Sequence, residues 1–339
     1  MNRYVELPLV EPIYSTYHKQ GSGAAVIASN PSIRNWYLNE VMDLSCNRLF
    51  LSGYTTPRLE ILKSTWKDNP HLKRNWNSMR FIKGHVHSMI REMLDNGYYV
   101  YFRQIDDYYI EGKTWYKQRH FPHDGLICGY NRDDDTYCIF AYDNNWVYRK
   151  FWITKKSFEK GRASSHKMGT YGAAHGIKAR EEEVFFQPQV AISEIAHYIN
   201  SNLDMFPVNG EGNVRGIVVH EYLNMYIEKL KDESIPYERM DYRIFRLIWE
   251  HKKVMLERIE KIEEALELGN QVSEKYKKVV AEADMIRMLY ASHHIKRRDS
   301  VLPTIIKINR DIKETEESLL KELISRTKEV CKDETVGVY

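Results

Sequence analysis

Residues 120–130 read HFPHDGLICGY, and residues 136–143 read TYCIFAYD. Both runs are rich in aromatic and β-branched side chains, and a turn-forming stretch, NRDDD, separates them. They predict neighbouring strands at 125–130 and 136–142. Similar runs predict further strands at 98–105 and 147–153, so the expected core is a mostly antiparallel sheet.

The same stretch places a histidine, His123, at the start of one strand and an acid, Asp143, at the end of the next. Neighbouring strands lie only about 4.8 Å apart, so the two side chains are expected to meet across the hairpin. A carboxylate in that position would fix the imidazole tautomer and stabilise the imidazolium. The alternative is a surface histidine and a turn aspartate with no joint role.

Helical spacing dominates the second half of the chain. Apolar residues recur every three or four positions, which predicts helices at 189–203, 212–231, 238–268, 271–291 and 304–331. Earlier helices are expected at 33–44, with Cys46 at its end, and at 83–96, closed by Asn96-Gly97.

The stretch 161–180 is rich in small and polar residues and is interpreted as a linker containing His166 and His175. The predicted fold class is therefore α+β. A catalytic domain with a mostly antiparallel sheet is expected over 1–165, followed by an all-α domain over 181–335.

Composition excludes several kinds of protein. Fifty basic and 47 acidic side chains give a net charge of +3, which supports neither a nucleic-acid nor a membrane partner. Four scattered cysteines without a CxxC pair favour a reduced, cytoplasmic setting. No signal peptide, membrane span or nucleotide-binding motif is predicted. The histidine pairs His85/His87 and His293/His294 have no acid or cysteine at ligand spacing, so no metal site is expected.

The run at 123–130 and the aromatic strand ending in Asp143 resemble the histidine and aspartate strands of papain-like C39-type cysteine peptidases. They are more similar still to butirosin-biosynthesis-H-like proteins, in which a helical part, here including 249–252, accompanies a papain-like domain. Condensing enzymes of closthioamide-type polythioamide assembly also look similar. The resemblance implies an amide-forming acyltransferase with a Cys-His-Asp triad. Its acyl group would come from an acyl or peptidyl carrier protein, whose phosphopantetheine is the only prosthetic group involved, and an amine would accept it.

The cysteine of that triad is missing. The resembling families place it at the start of the first helix, after a glutamine of the oxyanion hole. The matching segment, here expected to be a flexible loop leading into a helix, contains Gln20, then Ser22, Ala24 and Ala25 as candidate nucleophile positions. Three explanations stay open: a cysteine replaced by alanine or serine, a serine nucleophile at Ser22, or a site that only binds. Cys46 is not favoured, because the end of a helix would raise a thiol pKa.

Other functions and partners remain possible from the sequence. Water as acceptor would make the protein a cysteine peptidase or hydrolase, and loss of the nucleophile would leave a natural-product-binding protein. The basic run 293–298 either contacts a carrier protein or is a solvated helix end. Aromatic residues, among them Trp36, Tyr37, Trp115 and Tyr116, either shield an acyl intermediate or belong to the core. A homodimer is also possible.

Overall fold

The computed structural model describes residues 2–27, 30–53, 56–78, 83–170, 172–200, 202–203 and 212–336. The chain divides into two compact units. The sheet unit comprises Met1–Arg34 and Ser64–Glu183, and the helical unit comprises Asn35–Lys63 and Val184–Tyr339. The second unit is therefore built from two separate stretches of chain.

The sheet unit is organised around seven strands that pair antiparallel throughout. Their order is β4-β9-β5-β6-β7-β8, with β1 pairing on part of β6. The strands are β1 Tyr4–Glu6, β4 Leu72–Ser78, β5 Tyr99–Asp106, β6 Pro122–Asn131, β7 Thr136–Tyr142, β8 Tyr148–Thr154 and β9 Ala173–Ala179.

Three helices pack against this sheet: α1 His18–Ile27, α3 Val86–Asp95 and α4 Lys155–Lys167. Helices α3 and α4 bury apolar side chains in one core with strands β5 to β8, because α3 is strongly amphipathic and α4 contributes Phe158. Helix α1 instead contacts β6 and β9. The start of α1 and the start of β6 thus come together.

The helical unit contains α2 Arg34–Glu40, which begins at the unit boundary, and five longer helices. These are α5 Pro188–Asn200, α6 Val219–Lys231, α7 Ile244–Ala265, α8 Gln271–Lys296 and α9 Leu302–Val336. Buried Arg258 of α7 donates to the carbonyls of Tyr37, Leu38 and Val41, where α2 ends. That guanidinium satisfies acceptors that a helix end leaves without partners.

A small antiparallel sheet also belongs to the helical unit, with the order β10-β11-β2-β3. Its strands are β2 Leu44–Asn47, β3 Leu59–Ile61, β10 Asn202–Leu203 and β11 Asn213–Arg215. The helical region expected after residue 181 is confirmed, but it also contains strands β10 and β11, so the unit is mostly helical and not purely α.

The α+β class and the mostly antiparallel sheet are confirmed, and the four predicted strands lie within three residues of their observed ends. Gly97 has the left-handed φ of 76° expected after α3. Three expectations were wrong. The loop before Ala24 is helix α1, and Cys46 lies in strand β2 instead of at a helix end.

The third concerns the stretch interpreted as a linker at 161–180, which contains the end of α4 and the internal strand β9. The sheet unit therefore extends to Glu183, beyond the boundary expected after 165, and residues 35–63 join the helical unit. In the ranges that the structure describes, no helix combines the length and apolar character needed to cross a bilayer.

Candidate functional site

The first turn of α1 forms one wall of the candidate site. His18 is its first residue and is 8% exposed. The ring of His18 meets that of His123 edge to face, with 4.5 Å between ring centres and an interplanar angle of 86°. Two imidazoles from distant parts of the sequence therefore lie in direct contact.

Two glycines allow α1 to approach its surroundings this closely. A Cβ on Gly21 would lie 2.8 Å from the Tyr148 ring, and one on Gly23 would lie 2.9 Å from the backbone nitrogen of Trp66. Glycine inside a helix costs about 1 kcal/mol relative to alanine. Close packing against the ring and the neighbouring backbone explains why α1 contains two of them.

His123, the second residue of β6, faces an acid that the sequence prediction missed. Its Nδ1 lies 3.5 Å from Oδ2 of Asp107, the residue that follows β5. Asp107 is 5% exposed, whereas the His123 side chain is 33% exposed. Nδ1 is buried and has no hydrogen-bond partner among the described residues, so Asp107 is a nearby charge and not a hydrogen-bond acceptor in this structure.

Lys113 lies on the other side of Asp107. Its Nζ is 3.6 Å from Oδ2 of the same carboxylate, and both side chains are buried. Burial lowers the pKa of Lys113, and the attraction of Asp107 opposes that shift. The same carboxylate oxygen of Asp107 therefore lies near both a buried ammonium and an imidazole.

The structure does not bring Asp143 to His123. Asp143 is 1% exposed and accepts hydrogen bonds from Arg149 Nε at 2.5 Å and from the backbone N–H groups of Asn145 and Val147. Burial acts to raise its pKa, but these donors outweigh burial and lower it. Among the described residues no hydrogen bond or ion pair joins the two side chains, and Asp143 instead stabilises the turn after β7.

The expected nucleophile segment lies inside α1. Gln20 is fully buried, and its amide donates to Ser64 Oγ at 2.7 Å, so that donor is not presented to a substrate as an oxyanion hole requires. Ser22 is fully buried, and its hydroxyl lies 3.1 Å from the Tyr148 hydroxyl. Ala24 and Ala25 belong to the core. The first residue of the helix is His18.

Aromatic rings surround the imidazole pair. Tyr142 and Tyr148 both lie edge to face with His18, at 5.5 and 5.3 Å between ring centres. Phe121 contacts His123 from the loop side at 5.1 Å. Burial raises the pKa of Tyr148, which keeps its hydroxyl neutral. The wall of the site is thus largely apolar, with the nitrogens of His123 as its basic group.

The described cysteine side chains are all buried. Cys46 belongs to the helical unit, and burial raises the pKa of its thiol to about 12. Cys128 and Cys138 are buried in β6 and β7, where the Cys128 thiol donates to the carbonyl of Cys138. The side chain of Cys331 lies outside the described residues. The pKa of the Cys128 thiol is also raised, by its hydrogen bond to Cys138 and by burial, whereas a catalytic thiol needs a lowered pKa.

A second histidine–aspartate pair lies beside the first. His120 Nδ1 donates to Asp106 Oδ2 at 2.7 Å, and Ser164 Oγ donates to the same oxygen at 2.7 Å. Asp106 is fully buried and also accepts from the backbone N–H groups of Tyr108 and Phe121. Because serine and histidine both donate to the aspartate, this trio anchors the loop and does not form a nucleophile relay.

The remaining candidate histidines have structural surroundings. His175 lies in β9 against Trp66, and burial together with Lys67 and Arg103 lowers its pKa to about 4. His166 lies in the last turn of α4, so neither histidine belongs to a linker. His87 is held by Tyr137 and Glu159. No group of three or more potential metal ligands occurs in the described part of the chain.

The neighbouring acids could have been anticipated. Asp106 and Asp107 directly follow a predicted strand, and His123 begins the next strand of the sheet. In an antiparallel pair the end of one strand lies beside the start of the next.

A scan against protein-family models and a search of curated proteins each found no match for this chain.

Proposed function

We propose that the sheet unit transfers an acyl group from a thioester to an amine, with His123 as general base. The observation that supports this most directly is the position of His123. Its imidazole is partly exposed, and its Nδ1 lies 3.5 Å from the buried carboxylate of Asp107. If the Asp107 carboxylate closes on Nδ1 when substrate binds, it would hold the proton there and leave Nε2 able to accept one. The resemblance of 123–130 to acyl-transferring relatives supports the choice of a carrier-protein thioester as donor.

The proposed reaction is direct. The amine attacks the thioester carbonyl while Nε2 of His123 takes its proton, and the resulting imidazolium returns a proton to the departing thiolate. The amide bond forms, the C–S bond breaks, and the base is regenerated. The positive end of α1, at His18, adds a favourable potential for the negatively charged tetrahedral intermediate.

A direct reaction agrees with the side chains that surround His123. Its ring neighbours are His18 and Phe121, and its acidic neighbour is Asp107. The hydroxyl of Ser22 pairs with Tyr148 and not with an imidazole, so it lacks an adjacent base. The apolar rings around the site would keep water from competing with the amine.

The test uses the full chain with acyl thioesters, both as N-acetylcysteamine conjugates and on carrier protein, and a panel of amines. Amide and free thiol are measured by mass spectrometry. His123→Gln is expected to lower the rate of amide formation about 100-fold or more, because it removes the base. Asp107→Asn is expected to lower it at least about tenfold, because the wrong tautomer is favoured.

His120→Gln is the matched control. It removes an imidazole three residues away that also pairs with an aspartate, yet it lies in the loop anchor instead of against His18. Its rate should stay within about threefold of the wild type. Intact-mass spectra should show no acyl adduct on the protein. Equal rates for the His123 and His120 variants, or no turnover of any pair by folded wild-type protein, would refute the proposal and favour a binding protein.

A further inference from the structure

The loop between β5 and β6 carries an arginine that the proposed reaction has not yet used. Residues 107–121 contain three basic side chains, Lys113, Lys117 and Arg119. Lys113 is buried against Asp107, whereas Lys117 and Arg119 are exposed. The two exposed cations differ in what their side chains contact.

The guanidinium of Arg119 lies near two aromatic rings. Its guanidinium carbon lies 5.3 Å from the Trp115 ring centre and 5.7 Å from that of Phe121. Its backbone N–H also donates to the Trp115 carbonyl at 3.2 Å. In the part of the chain that the structure describes, no carboxylate pairs with this guanidinium. Stacking on rings leaves the in-plane N–H groups of arginine available for an anion.

Phe121 connects Arg119 to the base. The ring that lies under the guanidinium also contacts the His123 ring, at 5.1 Å between centres. The backbone of Phe121 is fixed on both sides: its N–H donates to Asp106 Oδ1 at 2.9 Å and its carbonyl accepts from Asp107 at 3.0 Å. The same ring therefore contacts both the guanidinium of Arg119 and the imidazole of His123.

We propose that Arg119 binds an anionic oxygen group of a substrate whose reacting end meets His123. The inference rests on the proposed acyl transfer and names the substrate class: one partner carries an anion. Guanidinium groups recognise carboxylate and phosphate alike. The anion is either a carboxylate on the acceptor amine or the phosphate of a phosphopantetheine thioester donor, and the experiment separates these two sources.

Lys117 supplies the matched control. It is an exposed cation two residues away in the same loop, and its ammonium lies over Tyr116 at 5.0 Å. No ring contact joins Tyr116 to His123 in the described structure. Lys117→Gln and Arg119→Gln therefore remove the same charge from the same loop, but only Arg119→Gln removes the cation that stacks on Phe121.

The experiment combines two donors with two acceptors. The donors are an acyl N-acetylcysteamine thioester, which has no phosphate, and the corresponding phosphopantetheine thioester. The acceptors are an amine with a carboxylate and its amide-capped analogue. Values of kcat/KM are measured for the wild type, Arg119→Gln, Arg119→Lys and Lys117→Gln in all four combinations.

In Arg119→Gln the ratio of kcat/KM for the anionic pair over the neutral pair should fall about 10- to 100-fold, mostly through KM, as for loss of a charged hydrogen bond. Loss confined to the carboxylate acceptor identifies the acceptor as the source, and loss confined to the phosphorylated donor identifies the donor. Arg119→Lys should recover part of the ratio. Lys117→Gln should keep it within twofold.

An unchanged ratio in Arg119→Gln, with the neutral pair still turned over by the wild type, would overturn the inference and leave the proposed function intact. The same loss in Lys117→Gln and Arg119→Gln would also overturn it, because it would show a general charge effect. No turnover of any pair by the wild type would refute the proposed function and, with it, the role of Arg119.

Discussion

A buried ion pair in the helical unit offers a quantitative test of its packing. Lys252 Nζ lies 2.5 Å from Glu316 Oε2, and both side chains are fully buried. The Tyr198 hydroxyl donates to the same oxygen at 3.0 Å, and the Tyr276 hydroxyl donates to Oε1. These four residues come from α5, α7, α8 and α9. The carboxylate therefore joins four helices.

Removing either partner should be costly, and the two losses should not add. Glu316→Gln leaves the ammonium buried without its counter-charge, and Lys252→Met leaves the carboxylate in the same condition. Each is expected to lower the free energy of unfolding by about 3–5 kcal/mol. The double variant should lose less than the sum of the single losses, with a coupling of about 2–3 kcal/mol, because it leaves no uncompensated charge.

The cost of Glu316→Gln in unfolding free energy should also depend on pH, in a direction that follows from the pKa of Lys252. Burial lowers the pKa of Lys252, and Glu316 is the group that opposes the shift. In Glu316→Gln the folded-state pKa of the lysine should therefore fall further. Between that pKa and the ordinary value near 10.4 the unfolded chain binds more protons, so stability rises with pH. The cost of Glu316→Gln should accordingly shrink from pH 7 to pH 10.

Urea unfolding, followed by far-ultraviolet circular dichroism and by tryptophan fluorescence, measures these free energies. The control is the exposed pair of Lys275 and Glu322, which joins α8 to α9 at 2.9 Å. Glu322→Gln should cost about 1 kcal/mol or less. If Glu316→Gln costs no more than Glu322→Gln, the ion pair does not hold the helices together and the reasoning is refuted.

Two further predictions concern the sheet unit. His175, with a pKa lowered to about 4, should make the wild type lose about 3 kcal/mol of stability as the pH falls from 6.5 to 4, because only the unfolded chain is protonated there. His175→Gln should show a flatter profile in urea titrations; parallel profiles would contradict the assignment. Gly23→Ala should lower stability by about 1–3 kcal/mol despite its better helix propensity, because its Cβ would clash with the Trp66 backbone. Thermal unfolding measures this loss by comparing Gly23→Ala with Gly84→Ala, whose added Cβ meets open space. Equal melting temperatures of the two variants would contradict the clash.

The predicted strands were found because their own side chains carry the signal. The run of aromatic and β-branched residues at 136–142 favours a strand, and β7 occupies those residues with five consecutive positions buried. Strand β9 and the part of helix α1 before Ala24 were missed because their small residues resemble a loop. In α1 this composition follows from close packing, since Gly21 and Gly23 contact Tyr148 and Trp66. Such contacts between distant parts of the chain are not visible in a local pattern.

The predicted boundary between the two units was wrong for a related reason. Residues 35–63 precede most of the sheet unit in sequence, but their strands β2 and β3 pair with each other and, through β2, with β11 near residue 214. A search for linkers assumes that each domain is a continuous stretch. Here the insertion carries no change of composition that would mark it, so only the strand pairing reveals it.

A bulge at Gln104 in β5 helps to determine which acid lies beside His123. Continuing the register of β6 and β7 would set Asp143 opposite His123, as the sequence predicts. The β5–β6 pairing, however, shifts by one residue between Phe102 and Ile105, and Gln104 there has a left-handed φ of 59°. Asp124 stabilises this bulge by accepting from the Gln104 N–H and from the Tyr101 hydroxyl.

The bulge sets which residues of β5 face the start of β6. Beyond it, Ile105 pairs with His123, and the Asp107 N–H donates to the Phe121 carbonyl. Because one residue of slip sends every following side chain to the other face, a regular β5 would turn Asp107 away from the imidazole. The side chain of Asp124 therefore acts on the proposed base through the backbone at Gln104, and the acid beside His123 is determined by strand pairing and not by the spacing of residues along the sequence.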